Sequence, residues 1–117
     1  MALTKNDIRE LQLAKGAIAS GMRLLLRCWG AKPDVVEVVH LAGAFGNYVR
    51  IDSAVRIGLL ETAPCRIHAA GNTALQGAKM TLLSPTLRFP GTIEHIALAS
   101  EPKFQDTFID CLPFPAM

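Results

Sequence analysis

The spacing of apolar positions changes several times along the chain, and each change predicts a new element. From residue 4 to about residue 30, Ile8, Leu11, Ile18, Met22 and Leu25 recur at helical spacing, which puts them on one face of a long helix. Thr4 and Asp7 make a capping-box pattern with aspartate in place of glutamate, and Asp7 and Glu10 set negative charge near the helix's positive end. Ala14, Gly16, Ala17, Ala19 and Gly21 give this helix a waist of small residues. Each glycine costs a helix about 1 kcal/mol against alanine, so the waist predicts a close neighbour, in the protein or bound to it. "GAKPD" at 30–34 stops the helix with a glycine and a following proline.

Residues 35–42 are rich in β-branched side chains and almost continuously apolar, the pattern of a strand buried on both faces of a parallel sheet. "IDSAVRIGLL" at 51–60 predicts a short helix capped by Asp52 or Ser53. "CRIHAAG" at 65–71 reads as a second short strand ending in glycine. A helix follows from an Asn72 cap to Ser84, where Pro85 stops it. "TIEHIALA" at 92–99 alternates and reads as a third strand. Residues 102–112 read as a last helix with Pro102 in its first turn, and "PFPAM" as an extended tail. The order α-β-α-β-α-β-α predicts an α/β fold with a mainly parallel sheet covered by helices. No repeat, low-complexity tract or dividing linker interrupts it, so residues 1–117 read as a single domain.

Composition adds one complication. A chain of 117 residues buries about two-thirds of the surface its unfolded form exposes. Half of this one is hydrophobic and only 19% is charged, with a mean hydropathy of +0.29, which is apolar for so small a unit. Some of that surface is expected to be covered by a partner chain or by the rest of a larger protein. No apolar run approaches the roughly 20 residues of a membrane span, and the N-terminus lacks the apolar stretch and cleavage site of a signal peptide. A net charge of +2 from scattered Lys and Arg gives no footprint for nucleic acid. Cys28, Cys65 and Cys111 are widely separated and form no C-x-x-C pair. They make neither a zinc site nor an iron–sulfur ligand set, and read as the reduced thiols of a cytoplasmic protein.

Candidate chemistry concentrates where the strands end. Twice a buried strand runs into glycine and then a polar residue that opens toward a helix: "HLAGAFGNYVRID" and "RIHAAGNTALQGA". In open α/β sheets ligands sit beyond the carboxyl ends of the strands, and glycine there lets a flat ring or a phosphate lie against bare backbone. The bland alternative is a pair of tight strand-to-helix turns. Neither stretch is G-x-G-x-x-G or a Walker loop. His40, His68 and His95 each fall in an expected strand and read as buried, hydrogen-bonded side chains, with no carboxylate cluster to make a metal site. Asp52 is accounted for by helix capping, Trp29 by packing at a helix end, and nothing in the sequence activates Cys65 or Cys111.

"DIRELQLAKGAIASG", "LAGAFGNYVRIDSAVRIGLL", "GNTALQGAKMTLLS" and "PKFQDTFIDCLPFP" together resemble the C-terminal part of the ATP-dependent reductive activators of corrinoid proteins. Those proteins belong to the acetate-and-sugar-kinase, heat-shock-chaperone and actin superfamily, and the resemblance covers residues 3–115. It implies that the chain is the C-terminal segment of an actin-like ATPase lobe. In that superfamily a strand ending in a glycine pair forms the adenosine motif. "LAGAFGN" is the matching stretch, with Gly43 kept and Ala44 where a second glycine is usual. The resemblance makes Gly43, Ala44, Phe45, Gly46 and Asn47 the nucleotide-contacting loop. Phe45 either shapes the pocket or is plain core. A helix with a similarly placed lysine flanks the adenosine from the other side. Carried over, Lys15 reaches ribose or phosphate while Gly16 and Ser20 face the base; the alternative for Lys15 is a solvated helix charge.

Intact relatives also carry a ferredoxin-like iron–sulfur domain and the first half of the ATPase fold, with its phosphate loops and magnesium-positioning acids. In them, ATP binding and hydrolysis drive reduction of a cobalt(II) corrinoid to the cobalt(I) state that accepts methyl groups. The resemblance therefore implies ATP and magnesium as cofactors of the intact protein and an iron–sulfur cluster on a domain absent here. The implied partners are the missing N-terminal portion and a corrinoid protein. The chain by itself is expected not to hydrolyse ATP. Two rival readings remain: a non-catalytic interaction or assembly module that keeps the fold, binds no nucleotide and dimerises through its apolar face, and a small-molecule kinase of the same superfamily.

Overall fold

The computed structural model describes residues 2–84, 86–88 and 91–116, apart from the side chain of Phe45. Helix α1 (Lys5–Trp29) begins at the expected capping box: the Asp7 amide donates to the Thr4 hydroxyl oxygen, and the Thr4 amide donates back to the Asp7 carboxylate. It ends at Gly30 in the left-handed conformation, φ 73°, with the cap amide turned back on the last carbonyls. After a 3-10 turn at Pro33–Val35 come strand β1 (Val39–Ala42) and helices α2 (Gly43–Tyr48) and α3 (Ile51–Arg56). A second 3-10 turn at Pro64–Arg66 leads into strand β2 (Ile67–Gly71) and helix α4 (Thr73–Leu83). The chain closes with a 3-10 turn at Leu98–Ser100 and helix α5 (Phe104–Cys111).

β1 and β2 pair in parallel, with Val39 opposite Ile67, His40 opposite His68 and, past an irregularity, Ala42 opposite Gly71. The strand pair is α/β with a parallel sheet, as the pattern predicts. The core lies on one of its faces: Ala54, Leu59, Leu60 and Ile67 are buried, with Val39, Leu41 and Met22 packed against them. Arg66 ties the approach to β1 onto β2 by donating to the carbonyl oxygens of Asp34 and Val36.

Several expectations are corrected. β1 is shorter than residues 35–42 and its own residues alternate between half-buried and exposed; ahead of it Val35 is 54% and Val38 45% exposed. A lone strand pair with one packed face cannot bury a continuous apolar run. Residues 92–99 form no strand; Ile93 is 97% exposed, and the segment tightens into the turn at Leu98–Ser100. Among the described residues no free strand edge is paired with it, and an alternating pattern without a ladder partner has nothing to hold it extended. Helix α3 starts from Arg50 without a side-chain cap, so Asp52 and Ser53 sit inside it. Pro102 lies ahead of α5, whose cap position is Lys103. Trp29 is 73% exposed, and His40, His68 and His95 are exposed, none a core residue. The Asn72 cap holds, its side chain accepting from the Leu75 amide at 3.0 Å. The expected stop at Pro85 lies outside the described residues.

Candidate functional site

Parallel pairing brings the two glycine-ended strands to one edge. Gly43 and Gly71 both adopt the left-handed conformation, φ 80° and 67°, and no atom lies within 4 Å of where a side chain would start on either. The main chain is therefore bare and open at both strand ends, next to each other in the sheet. Gly46 lacks a side chain for a different reason. A Cβ there would fall 2.7 Å from the Leu41 carbonyl oxygen, so its bareness lets α2 lie against β1.

The expected loop at 43–47 is helix α2, which packs on both strands. A left-handed Gly43 turns the chain sharply enough for helical hydrogen bonding to begin at once, so a separate loop has no room to form. Within α2, Gly43 is half-buried, Ala44 and Asn47 are exposed, and the Phe45 side chain lies outside the described residues. Tyr48 is 87% exposed beside them.

Lys15 and Ser20 sit elsewhere. Lys15 is only 2% exposed, not a solvated charge. Its ammonium donates to the Pro113 carbonyl oxygen and lies 5.4 Å from the centre of the Phe114 ring. Those contacts belong to the C-terminal tail, not to residues 43–47. Burial holds the Lys15 ammonium's pKa below its ordinary value, against the opposing pull of Cys111 and Glu61. Ser20 is fully buried and its hydroxyl donates to the Ala17 carbonyl oxygen at 3.1 Å. The neighbours that the small-residue waist predicts are α5 and the turn before it: Gly16 meets Phe108 and Leu112 at the end of α5, and Gly21 meets Leu98 of the 3-10 turn. Beside it, Cys111 is buried and its thiol is pushed up by desolvation.

The clefts of the molecule differ in what they could hold. Between α1 and β1, Ala19, Met22, Val36, Val39 and Leu59 help line a cavity of about 30 Å³, room for one water. A wider cleft of about 420 Å³ lies among Leu11, Ser53, Ile57, Phe114 and Pro115, under the tail. The open strand ends leave room for a flat group to lie against the backbone. Among the described residues no three His, Cys, Asp or Glu side chains gather into a metal site. The three cysteines are free, two exposed and one buried, and do not make an iron–sulfur ligand set.

Gly71 was legible as part of the repeated strand-then-glycine pattern but not as a member of the same corner as Gly43; only the parallel register joins them. Among the described residues, no helix is long and apolar enough to cross a membrane.

Two parallel strands with helices packed on them place the chain among α/β domains. A family model described as the C-terminal domain of RACo, the ASKHA domain, matches residues 1–117, so the chain belongs to that family of actin-like domains from corrinoid-protein reductive activators. It is 41% identical over 115 residues to the corrinoid activation enzyme RamQ of Eubacterium limosum, covering 92% of this chain and 19% of that protein. It is 28% identical over 115 residues to the [Co(II) methylated amine-specific corrinoid protein] reductase of Methanosarcina barkeri, covering 92% of this chain and 21% of that one. The chain thus spans about a fifth of the length of the curated relatives it matches.

Proposed function

We propose that this chain is the nucleotide-holding segment of an ATP-dependent activator that reduces cobalt(II) corrinoid proteins to the cobalt(I) state for methyl transfer. The observation that carries the reading is the pair of left-handed glycines, Gly43 and Gly71, side by side at the carboxyl ends of parallel strands with open space before each. A purine nucleoside seated there lies against main chain that no side chain obstructs. Ala44 and Asn47, exposed on α2, flank the seat. Support for the corrinoid partner comes from the names of the two relatives. Phosphate binding, magnesium and the electron that reduces cobalt are supplied by parts of the longer protein, so the isolated chain does not hydrolyse ATP. Gly46 supports the seat by setting α2 on β1, whereas Lys15 and Ser20 belong to the packed waist of α1 and take no part in it.

Isothermal titration of ATP into this segment joined to the preceding four-fifths of such an activator tests the reading. Gly43→Val is expected to weaken ATP binding by about tenfold or more, since the side chain both strains a left-handed residue and enters the seat. Ala44→Val, which carries no backbone strain, is expected to weaken it less while leaving the melting temperature unchanged. Unchanged affinity in both variants removes the site from 43–47.

One observation favours a second reading, an assembly module without nucleotide. α4 has no buried residue, and Leu82 and Leu83 on it are 80% and 81% exposed. That reading requires a stable dimer of the chain and no thermal shift with ATP or ADP in the joined protein.

A further inference from the structure

His40 and His68 are direct partners in the parallel register of β1 and β2. Register partners project from the same face of a sheet. Here it is the face away from the core: Ile67 is buried and Val39 and Leu41 are half-buried, while His40, Ala42 and His68 are exposed. The two imidazole ring centres are 6.3 Å apart with planes tilted by 39°. Two imidazoles in adjacent positions around one ion have ring centres about 4.5 Å apart in a square-planar shell and about 5 Å apart in a tetrahedral one, given metal–nitrogen bonds of about 2 Å. Rotation of two exposed side chains about their own χ angles closes the remaining difference of about 1–2 Å, with the backbone held by the strand ladder.

We propose that His40 and His68 form a chelating site for a first-row divalent transition metal, with water completing its coordination. The class of ion follows from the donors. Neutral imidazole nitrogen suits copper, nickel and zinc, whereas magnesium and calcium take oxygen. Among the described residues no third His, Cys, Asp or Glu side chain completes a cluster with them, so the site is open, unlike the closed four-ligand shell of structural zinc. A bound ion keeps exchangeable positions for a ligand from outside the chain. Of these metals copper(II) binds such donors most tightly. The site stands on strand register alone and is independent of the nucleotide seat.

The test uses the untagged chain with its thiols alkylated, because Cys28 and Cys65 are exposed. Copper(II) and nickel(II) are titrated separately, with magnesium as the oxygen-seeking control. One copper(II) per chain is expected, with nitrogen hyperfine structure from two imidazoles. His40→Ala and His68→Ala are each expected to lose about tenfold or more in affinity, because the second imidazole no longer acts within the same molecule. His95→Ala is expected to bind as the parent does, and magnesium not at all. Circular dichroism checks the fold of each variant. Should one unfold, copper-induced broadening of the His40 and His68 ring protons in the parent chain gives the same reading. Absence of binding, a single-imidazole signal, equal affinity in parent and both single variants, or loss on His95→Ala overturns the site.

Discussion

Gly43, Gly46 and Gly71 lack side chains for two distinct reasons, and substitution separates them. At Gly43 and Gly71 the obstacle is conformational: a left-handed φ with open space around it. Alanine there costs the strain of that conformation, about 1 kcal/mol. At Gly46 the obstacle is the Leu41 carbonyl, 2.7 Å from the new carbon, and backbone cannot swing aside. Gly46→Ala is expected to cost about 2–3 kcal/mol and to loosen α2. Chemical denaturation of the three variants checks the order; a Gly46→Ala protein as stable as Gly43→Ala would refute it. Lys15 supplies a second prediction. Its folded-state pKa is lowered by burial, so the unfolded chain keeps that proton to higher pH. Between the two values the unfolded state binds more protons, and stability rises with pH. Cys111 acts the other way: its thiol is raised in the fold, so stability falls once the unfolded thiol begins to ionise. Lys15→Met removes the first effect and, by taking away a cation that lowers the Cys111 thiol, strengthens the second. The melting temperature of the parent is expected to gain on that of Lys15→Met from pH 7 toward pH 10, and a constant difference would count against a buried, desolvated ammonium.

At the level of elements, legibility tracks how local the determinants are. α1 could be read almost to the residue because its cap, its dipole-facing acid and its terminal glycine are all neighbours in sequence. α4 was legible from Asn72 for the same reason. Residues 92–99 show the opposite case: the alternating pattern is real, but a strand exists only with a partner. α2 replaced a loop because the left-handed turn at Gly43 leads directly into helical geometry, which composition does not reveal. α4 leaves a further trace. Leu82 and Leu83 project from a helix with no buried residue, so they contribute little here. Changing both to serine is expected to shift the unfolding free energy of this chain by less than about 0.5 kcal/mol, and to destabilise the joined, longer protein by several times that. Equal effects in the two settings would mean that α4 has no neighbour beyond this segment.

On the scale of the whole molecule, the apolar composition finds its explanation in shape. The radius of gyration is 16.5 Å and the extents are 51 × 38 × 25 Å, whereas a compact chain of this length has a radius near 13 Å. The buried apolar side chains among the described residues are few, with Leu24, Leu59, Leu60 and Ile67 the large ones, while Trp29, Leu82 and Ile93 remain exposed. A body with so much surface for its volume leaves apolar side chains in water that a covering neighbour would bury.

By itself the sequence determined the long capped helix, the α/β class, the two strands that end in glycine and the family, since each rests on neighbours in the chain or on a run of matching residues. Tertiary structure alone decided that Gly43 and Gly71 share one corner, that Lys15 spends its charge on the tail, and that His40 faces His68. Those three facts depend on register and packing between segments tens of residues apart, and no local pattern encodes which distant group will stand opposite.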